Sequence, residues 1–192
     1  MRKVLCDIDG TLCDILSPIK AYLSTYNKEF CIEDCKHYNF SDYSDDIRSL
    51  IFKGFADNEL MKMVQPYSYT FDALDRLKSV ADVWSYTVFN DKSYNTPEVL
   101  RGRVSLIKNL GLKGSPFKSE KPVLYDVDAL FDDCLDVMIR WQDTDTKLFL
   151  IDQPYNQKTE ENECSLDWNR VVRCKNFADG VEKYMQMINE RG

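Results

Sequence analysis

No apolar run in the 192-residue chain is long enough to cross a bilayer, which argues against a helical membrane span. Basic residues are not in excess either: 25 Lys and Arg stand against 32 Asp and Glu, a formal charge of −7. A surface that holds long nucleic acid or anionic lipid needs a positive field, and this balance argues against both. A small phosphorylated partner stays open, because one metal ion and one or two lysines supply enough local positive charge. Cysteine pairs at disulfide spacing are missing. The seven cysteines are odd in number and scattered, the usage of a reducing compartment. Cys31-x3-Cys35-x-His37 has one half of a zinc pattern and no second half, so these read as ordinary reduced cysteines. Only Met1-Arg2-Lys3 stands ahead of the first apolar run, too little for a secretory leader, and a cytoplasmic location is expected. Repeats and low-complexity tracts are absent. What remains, 44% hydrophobic and 30% charged residues, is ordinary for one globular domain with a small insertion, and a homodimer is left open.

The most informative stretch present is Val4-Leu5-Cys6-Asp7-Ile8-Asp9-Gly10-Thr11-Leu12. A short apolar run reads as a buried strand that ends at two aspartates one residue apart. An Asp-Gly turn after a strand is common, but this whole string in this place is far rarer. Two carboxylates at a strand end repel each other, and a divalent cation with oxygen ligands, magnesium foremost, resolves the repulsion. The same pair can divide labour, one carboxylate attacking phosphorus and the other moving a proton.

Helical spacing follows from about Asp14 to Tyr26. Ser44 is placed to cap a helix carrying Ile47, Leu50, Ile51 and Phe55, and Asp57 one carrying Leu60, Met61 and Val64. No strand alternation shows between residues 28 and 66. Eleven of the 24 aromatics lie between Tyr22 and Phe71, enough to build a small helical core and to face a planar ligand. From Thr70, read as a cap, strand and helix alternate. The expected strands are Val83–Thr87, Val123–Tyr125, Ala129–Phe131, Leu148–Ile151 and Val171–Arg173. The helices between them include one opened by Thr96-Pro97, with Leu100, Val104, Ile107 and Leu110 inward and Gly111 closing it. Alternation of this kind implies α/β architecture, a parallel sheet covered on both faces, with ligands at the carboxyl ends of the strands.

Polar residues at those strand ends should then converge. Thr87 can offer its hydroxyl to a phosphate oxygen, and Lys121 can neutralise a phosphate and its nucleophile together, with Lys118 competing for that part. Asp132-Asp133 repeats the opening pair, and one of them would complete an oxygen cage with Asp7.

The order Asp7-x-Asp9, Thr87, Lys121, Asp132-Asp133 resembles the four motifs of the haloacid dehalogenase-like (HAD-like) superfamily, over nearly the whole chain. The resemblance implies a Rossmann-like three-layer core at 1–13 and 70–192 and a small helical cap at 14–69. It implies Asp7 as nucleophile and magnesium ligand, and Asp9 as general acid/base that ligates through its carbonyl. The stretch Leu148–Asn156, followed by Asp167-Trp168-Asn169, is similar to the C-terminal part of the 5′(3′)-deoxyribonucleotidases. That narrower likeness favours Asp133 over Asp132 as the side-chain ligand and makes Phe40 and Phe52 the counterparts of base-stacking aromatics. Two departures stand out. The family's Thr-Ser-Pro is Thr87-Val88-Phe89 here, and Ile15 replaces an aromatic after Asp14.

The expected function is a magnesium-dependent phosphomonoesterase acting through an aspartyl-phosphate on a nucleoside monophosphate. One rival is a related phosphatase of a sugar phosphate or a nucleic-acid end. Another is a catalytically silent binding module, which would have no need for Asp7, Asp9, Lys121 and Asp133 together.

Overall fold

The computed structural model describes residues 1–88, 97–118, 120–157 and 165–190. Its centre is β1 (Arg2–Cys6), an apolar segment paired in parallel on both sides. β4 (Ala81–Ser85) lies on one side; β5 (Ala129–Asp132), β6 (Lys147–Ile151) and β7 (Val171–Cys174) follow on the other, in the order β4-β1-β5-β6-β7. Cys6 pairs with Ser85 and with Phe131, so the residues just beyond them emerge together at one rim.

Alternation along buried strands divides the core into two layers. Val4, Cys6, Val83, Ala129, Phe131 and Phe149 face α4 (Thr70–Lys78), α5 (Pro97–Asn109) and α7 (Phe177–Asn189). Leu5, Leu130, Leu148 and Leu150 face α6 (Leu135–Trp141). The result is the three-layer, Rossmann-like α/β fold expected of the sequence. Phe131 is its densest point: its ring stacks on Phe149 with centroids 4.6 Å apart and meets Phe177 edge-on at 5.3 Å.

Between β1 and α4 the chain leaves the sheet through β2 (Cys13–Asp14) and returns through β3 (Gln65–Pro66), which pairs with it antiparallel. The segment between them holds α1 (Leu16–Ser24), α2 (Asp45–Ala56) and α3 (Glu59–Met63). These helices bury their own cluster, including Ile19, Leu23, Phe30, Phe40, Ile51 and Leu60. Asp14 starts α1 by accepting from the amides of Leu16 and Ser17 at 3.0 and 3.1 Å.

Several local expectations fail for identifiable reasons. Val123–Tyr125 is irregular: Tyr125 is exposed and Val123 partly so, which no strand inside this sheet could tolerate. β3 escaped notice because it is two residues long and includes a proline. Thr70 lies inside α4, with Tyr69 at its cap, and its hydroxyl donates instead to the Leu12 carbonyl at 2.7 Å. Ser44 does hold the N-cap position of α2, but its hydroxyl bonds the Asp46 side chain and no backbone amide; α3 is preceded by Asn58 in a left-handed conformation, not by an Asp57 cap. In α5 the buried face is Val99, Arg103 and Ile107, while Leu100 is exposed; Thr96 lies outside the described residues.

Replacing Phe131 by alanine should lower the unfolding free energy by about 3–5 kcal/mol, whereas Phe71→Ala on the exposed side of α4 should cost about 0.5 kcal/mol or less. Urea denaturation of the two variants compares them directly, and equal costs would contradict the layer assignment.

Candidate active site

The ladder between β1 and β5 continues one step past the strands, the Asp7 amide donating to the Phe131 carbonyl at 2.9 Å. This holds Asp7 beside the end of β5, where Asp132 and Asp133 follow. After Asp7 the chain turns sharply, the amides of Leu12 and Cys13 both donating to the Ile8 carbonyl. Gly10 makes this turn possible at φ +74°. A Cβ there would also fall 2.5 Å from both the Asp133 Oδ2 and the Tyr155 hydroxyl.

Oxygens of Asp7, Asp132 and Asp133 lie within 4.8 Å of one another, and all three residues are buried. Lys121 is the cation among them, its Nζ 2.9 Å from Asp7 Oδ2 and 2.6 Å from Asp132 Oδ2. Lys118, the competing lysine, is exposed. Burial alone would lower the Lys121 pKa, but Asp132 and Asp7 outweigh it and hold the ammonium charged. Burial, followed by the neighbouring acids, pushes the Asp7 carboxyl well above the usual range despite Lys121. Burial and then Asp132 raise Asp133 to about 6. Three carboxylates against one ammonium leave a buried excess of negative charge, and the donor set is all oxygen. These residues therefore fit a divalent cation such as magnesium.

The two adjacent acids are not equivalent. Asp132 is wholly buried, with one oxygen on Lys121 and the other accepting from the Cys134 amide at 2.9 Å. Asp133 faces an open cleft. The Thr11 hydroxyl donates to one of its oxygens at 3.0 Å and the Tyr155 hydroxyl to the other at 2.6 Å. The Asn156 side-chain amide donates to its carbonyl at 2.7 Å, which fixes the backbone beneath the acid.

The cleft has a volume of about 390 Å³ and brings together Asp7, Asp9, Asp133, Ile15, Phe40 and Phe52 from the sequence reading. Phe40 is buried and held in a left-handed backbone conformation; Phe52 is more exposed, its ring edge-on to Phe40 at 6.4 Å between centroids. Thr87 is buried just past β4 and its carbonyl accepts from the Phe117 amide; its neighbour Val88 lines the cleft among the described residues, and Phe89 lies outside them.

The sequence reading missed Arg103. Its side chain is 7% exposed and the guanidinium forks onto Asp9, Nη1 to Oδ1 at 2.8 Å and Nη2 to Oδ2 at 2.6 Å. A signal existed: an arginine placed four residues from Val99 and from Ile107 sits on an apolar helical stripe. Tyr155 and Asn156 lay inside the quoted C-terminal stretch without a role.

No protein-family model matches the sequence, and no curated protein matches it. Solved structures do. A protein described as a haloacid dehalogenase-like hydrolase from Burkholderia xenovorans superposes with TM-score 0.60 at 16% identity, covering 97% of each chain. A haloacid dehalogenase-like family hydrolase from Streptococcus pneumoniae gives 0.52 at 13%, covering 97% of this chain and 99% of that one. D,D-heptose 1,7-bisphosphate phosphatase from Burkholderia thailandensis gives 0.51 at 9%, covering 96% and 99%. At these identities the likeness shows a shared HAD-like fold.

The raised Asp133 pKa has a direct consequence for stability. A carboxyl that titrates near 6 when folded and near 3.8 otherwise binds its proton more tightly in the folded chain, so its contribution is present at low pH and lost as pH rises through about 6. In metal-free protein this group should remove on the order of 2 kcal/mol between about pH 4 and pH 7. Asp133→Asn cannot ionise and should gain on the unmodified chain over that window, as read by urea midpoints at both ends. A difference independent of pH would contradict the raised pKa.

Proposed function

We propose that this chain is a magnesium-dependent phosphomonoesterase that forms an aspartyl-phosphate on Asp7 and acts on a small phosphorylated substrate, a nucleoside monophosphate foremost. The observation that carries this reading is the buried Asp7 carboxylate, 2.9 Å from Lys121, on the floor of an aromatic-walled cleft that Asp133 shares. Fold alone would not choose a reaction. The charges narrow the choice, because a silent binding module gains nothing from a buried excess of carboxylates around one lysine.

Asp7 attacks phosphorus in line with the ester oxygen. Asp9, two residues on and lining the same cleft, gives a proton to the departing oxygen. In the second half-reaction Asp9 takes a proton from the water that cleaves the aspartyl-phosphate. Lys121 neutralises charge between the nucleophile and the phosphoryl oxygens, and Thr87 is the candidate hydroxyl donor to them. Asp7, Asp133 and the Asp9 carbonyl would hold the magnesium, which supplies positive charge opposite the developing charge on the phosphoryl group. Asp132 supports the set from behind by fixing Lys121.

Phe40, Phe52, Phe55 and Ile15 make the cleft wall apolar and partly planar, which favours a nucleobase over a sugar. Stacking on such an aromatic is worth about 1–3 kcal/mol per base. Sugar phosphates are the alternative substrates.

Asp7→Asn should abolish phosphate release from deoxynucleoside monophosphates while leaving the melting temperature close to that of the unmodified chain or above it. Near-native turnover in that variant would end the aspartyl-phosphate mechanism. Chelation should stop turnover and added magnesium restore it. Phe52→Ala should lower kcat/KM on the nucleotide about tenfold or more and leave a small generic ester nearly unchanged. A ratio that the substitution does not move would hand the cleft to sugar phosphates.

A further inference from the structure

Arg103 lies in the middle of the buried face of α5, where an unpaired guanidinium would be strongly unfavourable. Its partner is Asp9, and the pair is forked, each carboxylate oxygen taking one N–H, at 2.8 and 2.6 Å. Two parallel hydrogen bonds define a plane, so the pair fixes how the Asp9 carboxylate is rotated as well as where it stands. Asp9 nevertheless keeps about a quarter of its side chain exposed and lines the cleft. On its other side, Arg103 Nη2 lies 3.6 Å from the sulfur of Met61 in α3. Met61 packs against both the sheet cluster and the helical-insertion cluster. One side chain thus joins an aspartate at the end of β1 to the segment that roofs the cleft.

We propose that Arg103 is the positioning residue for Asp9: it aligns the Asp9 carboxyl with the oxygen leaving phosphorus, and Met61 makes that alignment depend on the seating of α3. This rests on the phosphatase reading above. As the bond from Asp7 to phosphorus forms and the ester bond breaks, the proton passes from Asp9 to the departing oxygen. Arg103 lines the same cleft, and its part in the step is exerted through Asp9.

The role is visible in which esters suffer. A departing alkoxide needs the proton, whereas p-nitrophenolate is stable as an anion and needs it little. General-acid assistance is worth roughly 10²- to 10⁴-fold, and misalignment forfeits part of it. Arg103→Met, which keeps an apolar side chain of similar length, should lower kcat/KM on an alkyl or nucleoside phosphate by about 10- to 100-fold. On p-nitrophenyl phosphate the change should stay within about threefold. Arg103→Lys keeps the charge but cannot fork onto both oxygens. It should show the same selectivity in smaller measure, and it serves as the test if the methionine variant does not fold. In an Asp9→Asn background, loss of Arg103 should cost nothing further on the alkyl ester. Equal losses on both esters in a folded variant, or no loss on either, would overturn the assignment while leaving the phosphatase reading intact. An unmodified chain that releases phosphate from neither ester would remove that reading, and this one with it.

Discussion

Lys121 is a single ammonium shared by carboxylates that cannot all be satisfied by it. Desolvation makes these charges unfavourable; Lys121 touches only Asp7 and Asp132, and even beside it burial and the neighbouring acids push the Asp7 carboxyl well above its usual range. Asp133 accepts from neutral donors, Thr11 and Tyr155, and burial followed by Asp132 raises it to about 6 in spite of them. The arrangement persists because the backbone imposes it: parallel pairing of β1 with β5 delivers Asp7 beside Asp132 and Asp133 whether or not their charges agree. Strain of this kind at a strand rim is what a bound divalent cation would relieve.

Above that charged floor the cleft is walled by carbon. Aromatic rings from the insertion and Val88, Val99 and Met61 line the space in which Asp7 and Asp9 would act, and they offer water few partners there. Removing water strengthens each electrostatic contact below, because fewer mobile dipoles screen it. The apolar wall and the acidic floor are thus one device. In the function proposed above, the wall would hold the part of a substrate that does not react, and the floor would act on the part that does.

Much of this was legible in the chain. The Asp7-x-Asp9-Gly10 string, the alternation of strand and helix and the second acidic pair required no tertiary knowledge, since each is a local pattern. What could not be read was set by neighbours remote in sequence. Asp132 and Asp133 are adjacent, and only the tertiary positions of Lys121, Thr11 and Tyr155 show that Asp132 pairs with the cation and Asp133 with neutral hydroxyls. Arg103 replaced an apolar residue in the stripe of α5, so the period was traced one residue off, through Leu100 and Val104. Val123–Tyr125 had the composition of a strand but found no partner in the sheet.

The ribbon of β2 and β3 brings the two ends of the helical insertion side by side, Cys13 opposite Pro66 and Asp14 opposite Gln65. With its ends joined there and its own buried cluster, the insertion meets the core through Met61 and Val64 and through Tyr155, which packs on its cluster. Topologically it is a loop closed at its base, and the entropy of closing such a loop grows only with the logarithm of its length. The segment over the site can therefore lengthen, shorten or be rebuilt in the course of descent with little effect on the five strands beneath. The acidic rim stays with the sheet, and much of the wall above it is a part the chain can revise separately.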